Sequence, residues 1–215
     1  FGGCVTYAVK EIHYTLQGEG AQTGRAAVFC RFTGCNLWSG REEDRATAQC
    51  RFCDTDFVGT DGEGGGTFAS SGALAIKIAS YWPEGGRGKP YVVFTGGEPL
   101  LQLDEDLITA LHGQRFDVAI ETNGTLPVPP GVDWVCVSPK AGVEQIQCSG
   151  NELKIVHPQD GFDPRDLEDQ NFTHRFVQPM DGPAYQDNLK TCVTFCRDNP
   201  AWRLSLQTQK LLGIP

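Results

Sequence analysis

Short apolar runs rich in β-branched and aromatic residues recur along the chain, at 26–32, 91–95, 118–121, 134–137, 153–156, 175–177 and 203–206, and each reads as a strand. Helical spacing appears in three places. Residues 71–82 set Leu74, Ile78 and Trp82 on one face behind Ser70 or Ser71 as a cap, and 104–112 set Leu107, Ile108 and Leu111 behind Asp104. Residues 185–198 align Leu189, Val193 and Cys196 along one side. Strand and helix alternate in the first half, which predicts a parallel sheet. Later connections lack room for a crossover helix: 122–133 reads TNGTLPVPPGVD, and 138–152 is broken by glycine and proline as well. The predicted fold is therefore α/β, a partial, open (β/α) barrel with several crossover helices shortened or missing. No internal repeat or long linker divides it, so 1–215 is read as a single domain. The DGEGGG stretch at 61–66 is read as a mobile loop. Ligands of such sheets bind beyond the carboxyl ends of the strands, so the residues that follow each strand are the candidates.

Composition narrows the partners. Glycine makes up 26 of 215 residues, about 12% against roughly 7% in average chains, which calls for tight turns and close backbone approaches to ligands. The net charge of -9 argues against a nucleic-acid groove while leaving room for a small anion held by one arginine. No stretch approaches the ~20 apolar residues of a membrane span, and no signal-peptide pattern opens the chain. Phe1-Gly2-Gly3-Cys4 has no initiator methionine and is read as a foreign remnant. Nine cysteines without a secretory signal favour a reducing compartment, so the expected location is the cytoplasm. Cys30 and Cys136 lie in apolar runs and are expected in the core. Cys192 and Cys196, one helical turn apart, can serve a metal or pack a helix face.

The densest chemistry lies in 35–55, CNLWSGREEDRATAQCRFCDT, where Cys35, Cys50 and Cys53 form a C-x14-C-x2-C array with no fourth cysteine at short range. Three thiolates can hold three irons of a [4Fe–4S] cube and leave one iron open, whereas a closed zinc or cluster site wants four ligands. A zinc knuckle completed by a distant Cys or His is the alternative. Phe52 sits where an adenine could stack. Downstream, Thr95-Gly96-Gly97-Glu98-Pro99 ends a strand, its glycines permitting close backbone approach and Glu98 supplying a carboxylate at the rim. Arg31 stands among apolar neighbours and needs an anion, either a substrate carboxylate or a salt bridge to Glu121 or Asp54. Leu16-Gln17-Gly18-Glu19 reads as a turn.

The cysteine array together with Gly96-Gly97-Glu98 resembles the radical S-adenosylmethionine (SAM) enzymes. Their usual spacing before the second cysteine is three residues, so 36–49 is an insertion, expected to loop out and to fold as a small helix. With that insertion, Tyr14–Gly20, Cys53-Asp54-Thr55, Thr95–Pro99, Glu121–Gly124, Ser138-Pro139-Lys140, Gln178-Pro179 and the 206–215 terminus, the chain resembles the 7-carboxy-7-deazaguanine synthases nearly end to end. The resemblance implies a ring-contracting lyase of queuosine and 7-deazapurine biosynthesis, converting 6-carboxy-5,6,7,8-tetrahydropterin to 7-carboxy-7-deazaguanine with loss of ammonia. It implies a [4Fe–4S] cluster on Cys35, Cys50 and Cys53, and Mg²⁺ at Thr55. SAM would meet Phe52, Cys53 and Asp54, Gly96, Gly97 and Glu98, Ser138, Pro139 and Lys140, and Gln178, Pro179, Met180 and Asp181. The pterin would meet Leu16, Gln17, Gly18 and Glu19, then Arg31, Thr95, Glu121 and Asn123, and Pro215, whose terminal carboxylate would be an acceptor. Alternatively Leu211–Ile214 merely cover apolar surface. Gln209 stands where the family often has histidine. A flavodoxin or ferredoxin as electron donor and a homodimer are also implied. A glycyl-radical activase and a non-catalytic zinc or iron–sulfur module are the rival readings.

Overall fold

The computed structural model describes residues 6–85 and 87–215; residues 1–4, read above as a remnant, lie outside them, Cys4 included. The chain runs β1 (Tyr7–Leu16), β2 (Ala26–Phe32), β3 (Gly66–Phe68), α1 (Ser71–Ala79), β4 (Tyr91–Gly96), α2 (Glu105–Gly113) and β5 (Asp117–Thr122). It continues through β6 (Trp134–Val137), β7 (Ser149–His157), β8 (Asn171–Pro179), α3 (Tyr185–Asp198), β9 (Arg203–Leu204) and α4 (Thr208–Leu212). The nine strands of the described residues form one open sheet in the order β3-β1-β2-β4-β5-β6-β7-β8-β9. From β2 to β9 neighbours are parallel, while β1 runs antiparallel to β2 and β3.

Helices stand between β4 and β5 and between β8 and β9, whereas β5 to β8 are joined without an α-helix. The predicted partial barrel is what forms, and the proline-rich 122–133 connection is the reason: proline donates no backbone N–H and cannot continue a helical ladder. Ser70 and Asp104 cap α1 and α2 by accepting from the Ala73 and Leu107 amides. The 71–82 helix stops at Ala79, and the predicted 203–206 strand pairs only at Arg203–Leu204.

Period-2 alternation divides each strand between two environments. Val28, Cys30, Phe32, Val92, Phe94, Val118 and Ile120 pack with Leu74, Ile78, Leu107 and Leu111 of the helices in the main core. A second core under α3 gathers Val137, Leu153, Ile155, Val177 and Cys192, with Cys196 packed against it, so the cysteine pair of α3 serves packing. Ala27, Tyr91, Val93 and Ala119 pack separately on the opposite side. Cys30 and Cys136 are buried as expected.

Two features depart from expectation. The strands β1 and β3, the two that pair antiparallel at one edge, have no counterpart in the predicted set. The 61–66 stretch is tied down rather than free: Ile12 N–H donates to the Glu63 carbonyl at 2.7 Å and Gly62 N–H to that of Lys10 at 3.0 Å. A Cβ on Gly65 would stand 2.3 Å from the Lys10 carbonyl oxygen, so its glycines serve close packing on β1.

Candidate active site

Around the carboxyl ends of the parallel strands lies a cavity of about 490 Å³, within the usual range for small-molecule sites. Cys35, Cys50 and Cys53 line it together with Phe52, Asp54 and Thr55. Fourteen intervening residues do not hold Cys35 and Cys50 apart, because the neck of the inserted segment is pinched. The Leu37 carbonyl accepts both the Gln49 amide at 3.1 Å and the Cys50 amide at 3.3 Å. Beyond that neck the segment forms a 3₁₀ helix at Glu42–Thr47, the small helix expected. Burial pushes the Cys35 and Cys50 thiols up, so a metal must displace their protons to bind.

The donor set fits a site-differentiated cluster. Among the described residues no fourth cysteine lines this cavity. Nor do three His, Cys, Asp or Glu side chains converge on one point as ligands of a single ion do. Thiols on separate irons of a cube have no need to converge in that way.

The Gly96-Gly97-Glu98 turn holds the Cys35 loop in place. A Cβ on Gly97 would lie 2.1 Å from the Gly34 carbonyl oxygen, and one on Gly96 would lie 2.5 Å from that of Phe32. Glu98 N–H donates to the Gly34 carbonyl at 2.9 Å. Its carboxylate does not stand at the rim, as the sequence suggested. Glu98 is 0% exposed and accepts from Thr122 Oγ1 at 2.7 Å, the Asn123 amide at 2.8 Å and the Leu100 amide at 3.0 Å. These three buried donors, one in the turn after β4 and two at the end of β5, draw it inward. Asn123 in turn donates to Asn36, the neighbour of Cys35, at 3.0 Å.

On the same side, Lys140 Nζ donates to Ser138 Oγ at 2.8 Å and lies 5.8 Å from the centre of the Phe52 ring. Gly97, Ser138, Lys140, Gln178, Pro179 and Asp181 reach the cavity; Gly96, Pro139 and Met180 do not. Met180 instead continues the β8 turn, its amide donating to the His157 carbonyl at 2.9 Å.

Gln17, Glu19 and Glu121 gather at the other wall around Lys154, a residue absent from the predicted site. Lys154 is 3% exposed, and its ammonium donates to Glu19 at 2.7 Å and Glu121 at 2.6 Å. Gln17 Nε2 donates to the second Glu121 oxygen at 2.9 Å, and Gln209 Nε2 to the second Glu19 oxygen at 3.0 Å. Burial would push Glu19 up, but the Lys154 charge and these bonds hold it down at about 2. Arg31 faces the cavity with Thr95 and pairs with Glu11 at 2.8 Å rather than with Glu121 or Asp54. Leu16, Gly18, Asn123 and Pro215 also line the cavity. The Pro215 carbonyl already accepts from Thr15 Oγ1 at 2.9 Å. Leu211 and Leu212 are 67% and 64% exposed, so they do not cover apolar surface.

No protein-family model matches the chain. Its relatives decide the family. A 7-carboxy-7-deazaguanine synthase of Bordetella pertussis is 61% identical over 98% of this chain and 100% of its own, and one of Burkholderia multivorans 60% identical over the same shares. The chain belongs to the 7-carboxy-7-deazaguanine synthases. The crystal structure of QueE from Escherichia coli aligns with a TM-score of 0.67 at 27% identity, covering 94% of this chain and 93% of that one. As a 7-carboxy-7-deazaguanine synthase it is a lyase of the radical SAM type, in queuosine biosynthesis, and its open sheet is the partial barrel of that fold. The glycyl-radical activase and the non-catalytic metal module have no support among these relatives. Among the described residues no helix is long and apolar enough to cross a membrane.

Proposed function

We propose that this cavity binds 6-carboxytetrahydropterin opposite a [4Fe–4S] cluster and SAM, and that Mg²⁺ joins the pterin at Thr55. The observation that supports this most is the pairing of two unlike walls in one cavity: three thiols on one side, and a buried Lys154 that keeps Glu19 charged on the other. When bound, the cluster and SAM supply the carbon radical that starts the ring contraction.

The chain's own residues bind, orient and exclude water. Glu19, ionised and anchored by Lys154, accepts from the amino and amide N–H edge of the pterin, with Gln17 and Glu121 beside it. Arg31 keeps guanidinium N–H groups available for the substrate carboxylate beyond the one that Glu11 takes. Thr55 offers a hard oxygen to Mg²⁺, which prefers such ligands and retains several waters. Phe52 and Lys140 flank the adenosine side. Asn123, Thr95 and Pro215 close the remaining wall.

A flavodoxin or ferredoxin as electron donor, a homodimeric assembly and a cytoplasmic setting belong to this reading through the family resemblance. The test is anaerobic reconstitution with iron and sulfide, followed by turnover with SAM, a reductant and the pterin. Formation of 7-carboxy-7-deazaguanine and ammonia is expected. Cluster uptake with deoxyadenosine formation that ignores the pterin would defeat the substrate assignment.

A further inference from the structure

The inserted segment between Cys35 and Cys50 carries one cation that turns back onto the loop of the other two cysteines. Arg45 Nη1 donates to the Arg51 carbonyl at 2.8 Å and to the Cys53 carbonyl at 3.0 Å, the two carbonyls that flank Phe52. The guanidinium is held from three sides. Its carbon lies 4.1 Å above the centre of the Trp38 ring, and Nε donates to Glu42 Oε2 at 2.8 Å. Trp38 is itself buried, its ring edge-on to Phe57 at 5.6 Å and its Nε1 donating to the Arg41 carbonyl at 3.1 Å. The Arg45 side chain is 29% exposed, so it is a partly enclosed cation rather than a free surface one.

We propose that Arg45 is a positioning residue for the iron–sulfur cluster, one guanidinium that pins both carbonyls around Phe52 and keeps positive charge beside the thiolates. The proposal rests on the cluster assignment made above. Its physical content has two parts. The loop must hold Cys50 and Cys53 at set positions, and one guanidinium nitrogen that reaches two carbonyls, with the rest of the group fixed on Trp38 and Glu42, does so better than a flexible ammonium. A neighbouring cation also favours the reduced, more negative form of a cluster, since net charge and local hydrogen bonding set its potential. The insertion thus replaces, with one side chain, the stiffness that a short cysteine spacing provides.

Wild type, Arg45→Gln and Arg45→Lys, reconstituted anaerobically, would be compared by the rate of iron loss to a chelator and by the cluster midpoint in a titration followed by electron paramagnetic resonance. Arg45→Gln should show a more negative midpoint and iron loss faster by about tenfold or more, since two charge-assisted bonds are lost and about 1.4 kcal/mol is tenfold. Arg45→Lys should return the midpoint towards wild type while its iron loss stays fast, a split that a purely structural role would not produce. Should Arg45→Gln fail to fold, the lysine variant decides alone: iron loss at the wild-type rate overturns the proposal. A glutamine variant with unchanged midpoint and retention overturns it too. Wild type that takes up no iron and sulfide would instead overturn the cluster assignment, and this proposal with it.

Discussion

Lys154 on β7 and Glu121 on β5 meet at 2.6 Å across the intervening strand, and the same ammonium holds Glu19 from the β1–β2 loop. Breaking a buried pair from one side leaves an uncompensated charge and costs about 3–5 kcal/mol. Lys154→Met keeps the length and removes the charge, so its stability to urea should fall by that amount at neutral pH. The pH dependence has a definite sign. With its pKa held down at about 2, Glu19 contributes stability above the ordinary carboxylate range, and loses it as pH falls towards 2. Without Lys154, burial acts on Glu19 with less opposition and the carboxyl takes up its proton at higher pH. Pterin affinity in the variant should then decline between neutral pH and the carboxylate range, where the wild type stays flat. Parallel pH profiles for the two proteins would remove Lys154 from the binding wall.

Glu98 yields a contrasting expectation. Glu98→Ala strips partners from the Asn123 amide, the Leu100 amide and the Thr122 hydroxyl, all at a buried junction. Each orphaned donor costs about 1–3 kcal/mol, so a total near 3 kcal/mol or more is expected. Because Asn123 holds Asn36 beside Cys35, cluster retention should fall along with stability. A variant as stable as wild type with weakened SAM binding would show that the carboxylate acts on the cofactor directly.

Why Lys154 and β1 escaped the sequence reading has a physical answer. The run at 153–156, Leu-Lys-Ile-Val, reads as an ordinary strand, and nothing local says that its lysine turns inward to meet carboxylates from 33 and 135 residues away. In β1 the register shifts between Val9 and Glu11, so Val9 and Ile12, three apart, both reach the main core. That bulge erases the period-2 signal, and Lys10, Glu11 and His13 dilute what apolar pattern remains. By contrast β2, β4 and β5 are nearly continuous apolar runs, as buried parallel strands require, and they were legible. That Cys35, Cys50, Cys53 and Gly97 share one cavity was legible from the short motifs that carry them. The direction of the Glu98 carboxylate was not, since donors on β5 decide it.

Gly97→Ala isolates the fit between the β4 turn and the cysteine loop. The added Cβ would sit 2.1 Å from the Gly34 carbonyl oxygen and 2.7 Å from Cys35 Cβ, and neither is the far end of a flexible chain. The loop must move away, and Cys35 with it. Reconstituted Gly97→Ala should bind less iron than wild type while its far-ultraviolet circular dichroism is unchanged. Full iron content would mean that the loop can shift without losing the cluster.

Thr55 tests the metal separately from the cluster. Its hydroxyl lies 3.5 Å from Asp54 Oδ1, while the other Asp54 oxygen is engaged by Lys210, which also binds Asp181. The Lys210–Asp54 pair leaves Thr55 as the more available hard oxygen beside Cys53, and a hydroxyl with substrate oxygens and waters satisfies Mg²⁺. Thr55→Ala should therefore blunt the stimulation of turnover by Mg²⁺ while iron content and the cluster's absorbance match wild type. An unaltered Mg²⁺ response would place the ion elsewhere, and Asp54→Asn, which weakens the hold of Lys210, would then be the variant to show a changed response.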